Sequence, residues 1–190
     1  MKQARVLEKA ELRRVLDHIA TRPHAARNRC LVLMSFKCGL RAKEISSLKY
    51  QDVIGSDGTI KDEIYLAPEQ TKGRHSRTIY VNTKMRKELA DYVRAVPPKN
   101  MEWALFGTQK NPKRGFTPNT LVQFFHTLYE NCGISGASSH SGRRSFCTQL
   151  CNSGVSIQHI QRLAGHRDIQ TTAQYLSSNP SQLKAAVELV

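Results

Sequence analysis

The stretch from His24 to Cys38 restricts the fold more than any other. Cys30, Leu31, Leu33, Met34 and Phe36 crowd its second half, dense enough for a helix enclosed by others. Gly39 follows, and glycine is the residue that most often ends a helix. Amphipathic segments are available to enclose it. Glu8 to Ile19 repeats Leu12, Val15, Leu16 and Ile19 at helical spacing. Lys84 to Val96 reads as a helix stopped by Pro97-Pro98. Thr117-Pro118 offers a cap and a first-turn proline to a helix running to Asn131, with Leu121, Phe124, Phe125 and Leu128 inward. Ala42 to Leu48 is a short helix.

Between these helices lies a different periodicity. Glu63 to Ala67 and Arg77 to Val81 are rich in Ile, Tyr, Leu and Val and read as two strands. Their connection, Gln70 to Ser76, is polar, basic and contains glycine, as a hairpin tip does. The last part of the chain is broken into short helices: Ser141 to Asn152, Ser156 to Leu163, Thr171 to Leu176, and Ser181 to Leu189. Ser153-Gly154, Gly165-His166 and Asn179-Pro180 separate them. The pattern predicts a mixed α+β domain, mostly helical, with a small antiparallel sheet at one edge. The length, 190 residues, suits one well-packed domain.

Charge limits the partner. The formal net charge is +14, which favours a polyanion through counterion release. It is concentrated early: residues 1–50 hold twelve Lys/Arg against four Asp/Glu. A ribosomal or membrane-surface protein would share this charge, so it gives only the partner class. Leu31 to Phe36, the longest apolar run, is far too short to span a bilayer, and no membrane partner is expected. The charged N-terminus has no secretory signal, which predicts a cytoplasmic protein. The five cysteines lack framework spacing and fit reduced, buried thiols. Cys147 and Cys151, four apart with His140 nearby, leave a zinc site conceivable, but they also fit the apolar face of a helix with Phe146 and Leu150.

Several polar residues suit phosphodiester chemistry, and each has a plainer reading. Arg41 stands at a helix start, where free backbone N–H groups favour an anion; it would equally pair with Glu44. Lys72 and Arg74 in the hairpin tip, with Arg77 behind them, would reach a DNA groove or simply solubilise the tip. His140 and Arg143 are three apart at a helix start and share a face. His166 follows a glycine. Tyr175 lies in a polar helix and would, by itself, be a core-edge residue. Three short helices with tight turns also suit a helix-turn-helix DNA reader.

The order Arg41, Lys72, His140-x-x-Arg143, Gly165-His166, Tyr175 resembles the catalytic domain of the tyrosine recombinases, the phage integrase family. GLRAKEISSLKYQDV is similar to the family's first arginine segment, TKGRHSRTIYV to its lysine hairpin, SSHSGRRSFCTQLCNSGVSIQHIQRLAGH to its His-x-x-Arg helix, and RDIQTTAQYL to its nucleophile segment. The resemblance covers nearly the whole chain. It implies that Tyr175 attacks a scissile phosphate to form a 3′-phosphotyrosyl link. Arg41 and Arg143 would hold the non-bridging oxygens, Lys72 would protonate the leaving 5′-oxygen, His140 would assist proton transfer, and His166 would hydrogen-bond the phosphate. Lys43, Arg74, Arg77 and Arg144 become candidates for DNA contact. The implied partners are double-stranded DNA, further copies of the chain (a tetramer on DNA) and accessory DNA-bending proteins. No metal and no cofactor are implied. The implied place of action is the nucleoid, or the host cytoplasm for a phage-borne protein.

The sequence departs from the family pattern in three ways. Gly142 replaces a bulky apolar residue, which predicts a looser helix start. Arg144 stands where the family often has histidine. Residues 1–190 read as the catalytic domain alone, without the N-terminal core-binding domain of many members. The alternatives are a type IB topoisomerase-like strand cleaver and a non-catalytic DNA-binding regulator. The helix expected at Ser181 to Leu189 would dock on a neighbouring copy or pack on its own domain.

Overall fold

The computed structural model describes residues 4–71, 73–175 and 187–188. Its elements in order are α1 (Lys9–Ala20), α2 (Ala25–Cys38), α3 (Ala42–Ser47), α4 (Tyr50–Val53), β1 (Glu63–Leu66), β2 (Arg77–Tyr80), α5 (Thr83–Ala95), α6 (Pro118–Asn131), α7 (Ser141–Asn152), α8 (Ile157–Ala164) and α9 (Ile169–Ala173). The mixed, mainly helical architecture with one small antiparallel sheet is as expected. Lys72 lies outside the described residues, and so does the expected last helix, apart from Val187 and Glu188.

The apolar density of α2 has its expected result. From Cys30 to Met34 every side chain is buried, and α1, α5 and α7 pack around the helix. Gly39 ends it with a left-handed backbone, φ 66°, and its N–H bonds the Met34 carbonyl. A side chain at Gly39 would also sit 2.5 Å from the Phe146 ring of α7. One glycine therefore turns the chain into α3 and makes room for α7.

Gly142 makes a second close approach. A methyl group there would lie 2.8 Å from both the Phe36 ring and the Ser35 Cβ of α2. The expectation of a looser helix start is corrected: the missing side chain lets α7 settle directly on α2. Gly→Ala early in a helix ordinarily stabilises by up to about 1 kcal/mol. Here Gly142→Ala is expected to cost about 1–3 kcal/mol through overpacking, read as a lower midpoint in urea. A midpoint at or above wild type would contradict the close packing.

β1 and β2 pair antiparallel, with Ile64 opposite Ile79 and Leu66 opposite Arg77. Ile64, Leu66 and Ile79 face the core, whereas Tyr65 and Tyr80 are exposed. The connection is longer than a tight turn. It opens with a 3-10 turn, Pro68–Gln70, and the Lys43 ammonium donates to the Thr71 carbonyl at 2.6 Å.

Two short elements were not visible in the sequence pattern or differ from it. α4 is a single turn, whose Lys49 N–H is held by the Asp52 carboxylate at 2.9 Å. α9 starts earlier than expected because the Asp168 carboxylate accepts from the Gln170 N–H at 2.9 Å. It ends at Ala173, so Tyr175 stands in the turn beyond it rather than within a helix.

Cys147 and Cys151 are buried with Ile160 and Ala164 in a second apolar cluster, against which Phe146, Leu150 and Tyr175 pack. Burial raises both thiols, that of Cys147 to about 11. Both cysteines are therefore core residues. Among the described residues, no His, Cys, Asp and Glu groups are gathered to hold a metal, and no helix is long and apolar enough to cross a membrane.

Candidate active site

The end of α8 organises the site. The last carbonyls of a helix have no partner within it and carry partial negative charge. Three guanidinium groups from three distant elements supply donors. Arg77 Nη1 of β2 donates to the Leu163 carbonyl at 2.7 Å. Arg143 Nη2 of α7 donates to the Ala164 carbonyl. Arg41 Nη2, at the start of α3, donates to the Gly165 carbonyl at 3.2 Å. Gly165 is left-handed, φ 62°, and the next N–H, that of His166, returns to the Gln161 carbonyl at 3.0 Å. This glycine-terminated cap fixes where His166 begins. A side chain at Gly165 would meet Arg77 Cδ at 2.6 Å, so the glycine also admits the guanidinium.

Arg143 is 3% exposed, and its Nη1 also holds the Gly39 carbonyl at 2.7 Å. Burial, then the neighbouring Arg41 and Arg77, lower its pKa to about 10. It remains a cation near neutrality.

Glu44 offsets the crowding of positive charge. Its carboxylate is fully buried and accepts from the Arg41 N–H at 2.8 Å, Arg41 Nη1 at 2.9 Å and Arg77 Nη2 at 2.7 Å. Burial alone would raise this carboxyl, but the two arginines outweigh it and hold it below the ordinary glutamate range. A carboxyl depressed by folding contributes stability above its unfolded pKa and loses it as pH falls through the folded one. Acid is therefore expected to loosen the site. Glu44→Gln leaves two cations without their counter-charge. Breaking such a buried pair typically costs about 3–5 kcal/mol, so a large drop in Tm is expected at neutral pH. A Tm within a degree or two of wild type would show that the arginines do not depend on Glu44.

His166 is 9% exposed, and its Nδ1 is 2.9 Å from the Thr172 hydroxyl of α9. Burial, followed by Arg143, Arg41 and Arg77, lowers its pKa to about 3. The ring is neutral at physiological pH. Tyr175 lies parallel to it, with ring centroids 5.9 Å apart and 7° between planes. Arg144 stands over the tyrosine ring at 5.5 Å, a cation–π contact. The phenol is half-buried and its pKa is raised, by burial first and then by Cys147, against a partial pull from Arg143 and Arg144. His140 is exposed at the start of α7, with its Nδ1 3.4 Å from the Ser139 hydroxyl.

Arg41, Arg143, His166 and Tyr175 therefore converge, through α8 and the His166–Tyr175 stack. Gly73 of the hairpin tip lies beside Arg167, where an added methyl would be 3.9 Å from Nη1. Two candidates for DNA contact turn inward. Lys43 is engaged by the Thr71 carbonyl, and the Arg77 side chain is 9% exposed, bound to Glu44 and Leu163. Arg144 covers Tyr175, and Arg74 is exposed, with a left-handed backbone. Sequence reasoning missed Thr172 and the inward role of Arg77. Strand alternation held the second signal: Arg77 shares parity with buried Ile79 and lies opposite buried Leu66.

The arrangement presents clustered guanidinium donors, a neutral imidazole and a phenol, which suits an anion with several oxygens. The chain is 30% identical over 162 residues to tyrosine recombinase XerA of Pyrococcus furiosus, covering 85% of this chain and 54% of that protein. It is 29% identical over 184 residues to the type 1 fimbriae regulatory protein FimB of Escherichia coli, covering 94% and 86%. The chain thus spans about half of XerA and most of FimB. The crystal structure of XerA recombinase matches all of the chain and 66% of its own, with TM-score 0.75 and 21% identity. XerH recombinase bound to a palindromic difH substrate matches 98% of the chain and 53% of its own, with TM-score 0.71 and 23% identity. The model of the phage integrase family aligns with residues 5–182, and the chain belongs to that family, the tyrosine recombinases.

Proposed function

We propose that the protein cuts and rejoins double-stranded DNA at specific sites through a 3′-phosphotyrosyl link on Tyr175. The observation that carries this reading is the phenol stacked on His166, beside a helix end already surrounded by arginines. Arg41 and Arg143 would turn their remaining donors to the non-bridging oxygens, where negative charge builds up during attack. His166, kept neutral, would donate a hydrogen bond from Nε2, since Thr172 engages Nδ1. The Tyr175 phenol is raised above its ordinary value, so attack needs a base at the moment of bond formation. His140, exposed at the start of α7, is assigned that proton. Lys72 would protonate the leaving 5′-oxygen. The link conserves the energy of the broken phosphodiester, so resealing by the 5′-hydroxyl needs no nucleotide cofactor.

The net charge of +14 supports a DNA partner. Exchange of strands between two duplexes requires several protomers, for which a tetramer on DNA is the simplest assembly, with accessory DNA-bending proteins where sites are distant. The place of action is then the cytoplasm, at the nucleoid. The test uses a nicked duplex that the protein is shown to bind and from which the cleaved end escapes. A covalent adduct should accumulate, and peptide mapping should place it on Tyr175. No adduct, or one on another residue, would sink the proposal. Relaxation of supercoiled DNA at random positions would instead favour topoisomerase-like cleavage.

A further inference from the structure

We infer that Arg77 is a positioning residue for this strand-transfer chemistry, holding Arg41 and His166 in place without touching the phosphate. The inference rests on the function proposed above. Arg77 bridges the two sides of the pocket from β2, a third element behind both. Its Nη2 grips the Glu44 carboxylate at 2.7 Å, and Glu44 in turn holds the backbone and side chain of Arg41. Its Nη1 grips the Leu163 carbonyl at 2.7 Å, three residues before His166. Its stem fills the space beside Gly165 that any side chain there would take, at 2.6 Å.

The placement is enforced from behind. Leu66 lies opposite Arg77 in the sheet and is fully buried, and Ile79, two residues along β2, is 2% exposed. The arginine therefore emerges from the core face of a paired strand, with little freedom to swing outward. Its side chain is 9% exposed, less than the 22% of Arg41. An arginine so placed is poorly suited to follow a DNA backbone and well suited to hold two elements at a fixed separation. Its planar fork makes two directed bonds at once, to a carboxylate on one side and a carbonyl on the other, which a lysine ammonium cannot reproduce with the same reach.

The consequence is a defined pattern of defects. Removing Arg77 frees the end of α8 on one side and leaves Glu44 to draw on Arg41 alone. Both displaced groups act on the reacting phosphate, whereas the exposed cations available for binding are untouched. The test compares wild type with Arg77→Met and Arg77→Lys, each first shown to melt cooperatively above the assay temperature. DNA binding, single-turnover adduct formation on the nicked duplex and the His166 imidazole NMR resonances are measured for each. Arg77→Met is expected to bind DNA within about threefold of wild type and to form adduct about 100-fold more slowly, the scale of losing one preorganised donor. Its His166 resonances should move toward those of a solvated ring. Arg77→Lys should fall between, recovering the pairing with Glu44 but not both bonds. Should Arg77→Met fail to fold, Arg77→Lys alone decides: a rate reduced at least tenfold, with shifted His166 signals and intact binding, supports the assignment. Adduct formation within threefold of wild type in a folded variant, or unmoved His166 resonances, overturns it. Wild type that forms no adduct overturns the strand-transfer reading and this inference together, so the two failures are told apart by which protein fails.

Discussion

Tyr175→Phe should form no covalent adduct on a nicked duplex, while binding that duplex within about twofold of wild type. Only the phenolic oxygen is removed. The ring can keep its parallel contact with His166, its place under Arg144 and its packing near Cys147 and Cys151. Stability should therefore change little. Loss of a nucleophile typically costs at least about ten-thousand-fold in rate, because no neighbouring group takes over the bond. Gel retardation separates binding from chemistry, and a denaturing gel shows the adduct. Adduct formation by the phenylalanine variant would disprove the assignment outright.

Arg143→Ala should slow cleavage by about 100- to 1,000-fold or more, as removal of a preorganised transition-state donor does. The change has a second effect. Arg143 satisfies the carbonyls of Gly39 and Ala164 at once, so alanine leaves two acceptors unpaired at the junction of α2, α7 and α8. Each buried unmet group costs about 1–3 kcal/mol, and Tm should fall as well. Arg143→Lys separates the two contributions. It keeps a charge but cannot fork between two carbonyls and a phosphate, so slow cleavage in a protein that still melts cooperatively would assign the loss to chemistry. The neighbouring Arg144→Ala provides the control, since that residue lies over the face of Tyr175. Near wild-type cleavage by Arg143→Ala, with a collapse in Arg144→Ala, would mean that the arginines exchange roles.

Much of this arrangement could be read from residue order because helices and turns are local. The apolar crowding of α2, the cap at Thr117 and the left-handed Gly39 and Gly165 are each set by residues within one turn. The site residues that converge, Arg41, Arg143, His166 and Tyr175, were selected by their joint order, since each has a commoner structural use. What stayed hidden depends on contacts across the chain. Arg77 reads as a basic residue behind a hairpin tip until its strand parity is combined with the position of α8, 86 residues away. Gly142 suggests a frayed helix start until α2 lies beneath it. Thr172 carries no signal at all, because its value is the 2.9 Å contact to His166. The single turn of α4 is too short for periodicity to appear.

The end of α8 has a consequence for how the pocket comes into being. Carbonyls 163, 164 and 165 are each claimed by a different element: β2, α7 and the start of α3. A slip of one residue along the helix would misalign all three bonds at once, and no partial set offers a comfortable stopping point. The pocket is therefore assembled as a unit or left unassembled, in the manner of an interlock. Where assembled and unassembled forms interchange faster than cleavage, weakening one contact lowers the fraction of competent molecules and is read as a slower observed rate, as expected for Arg77→Met.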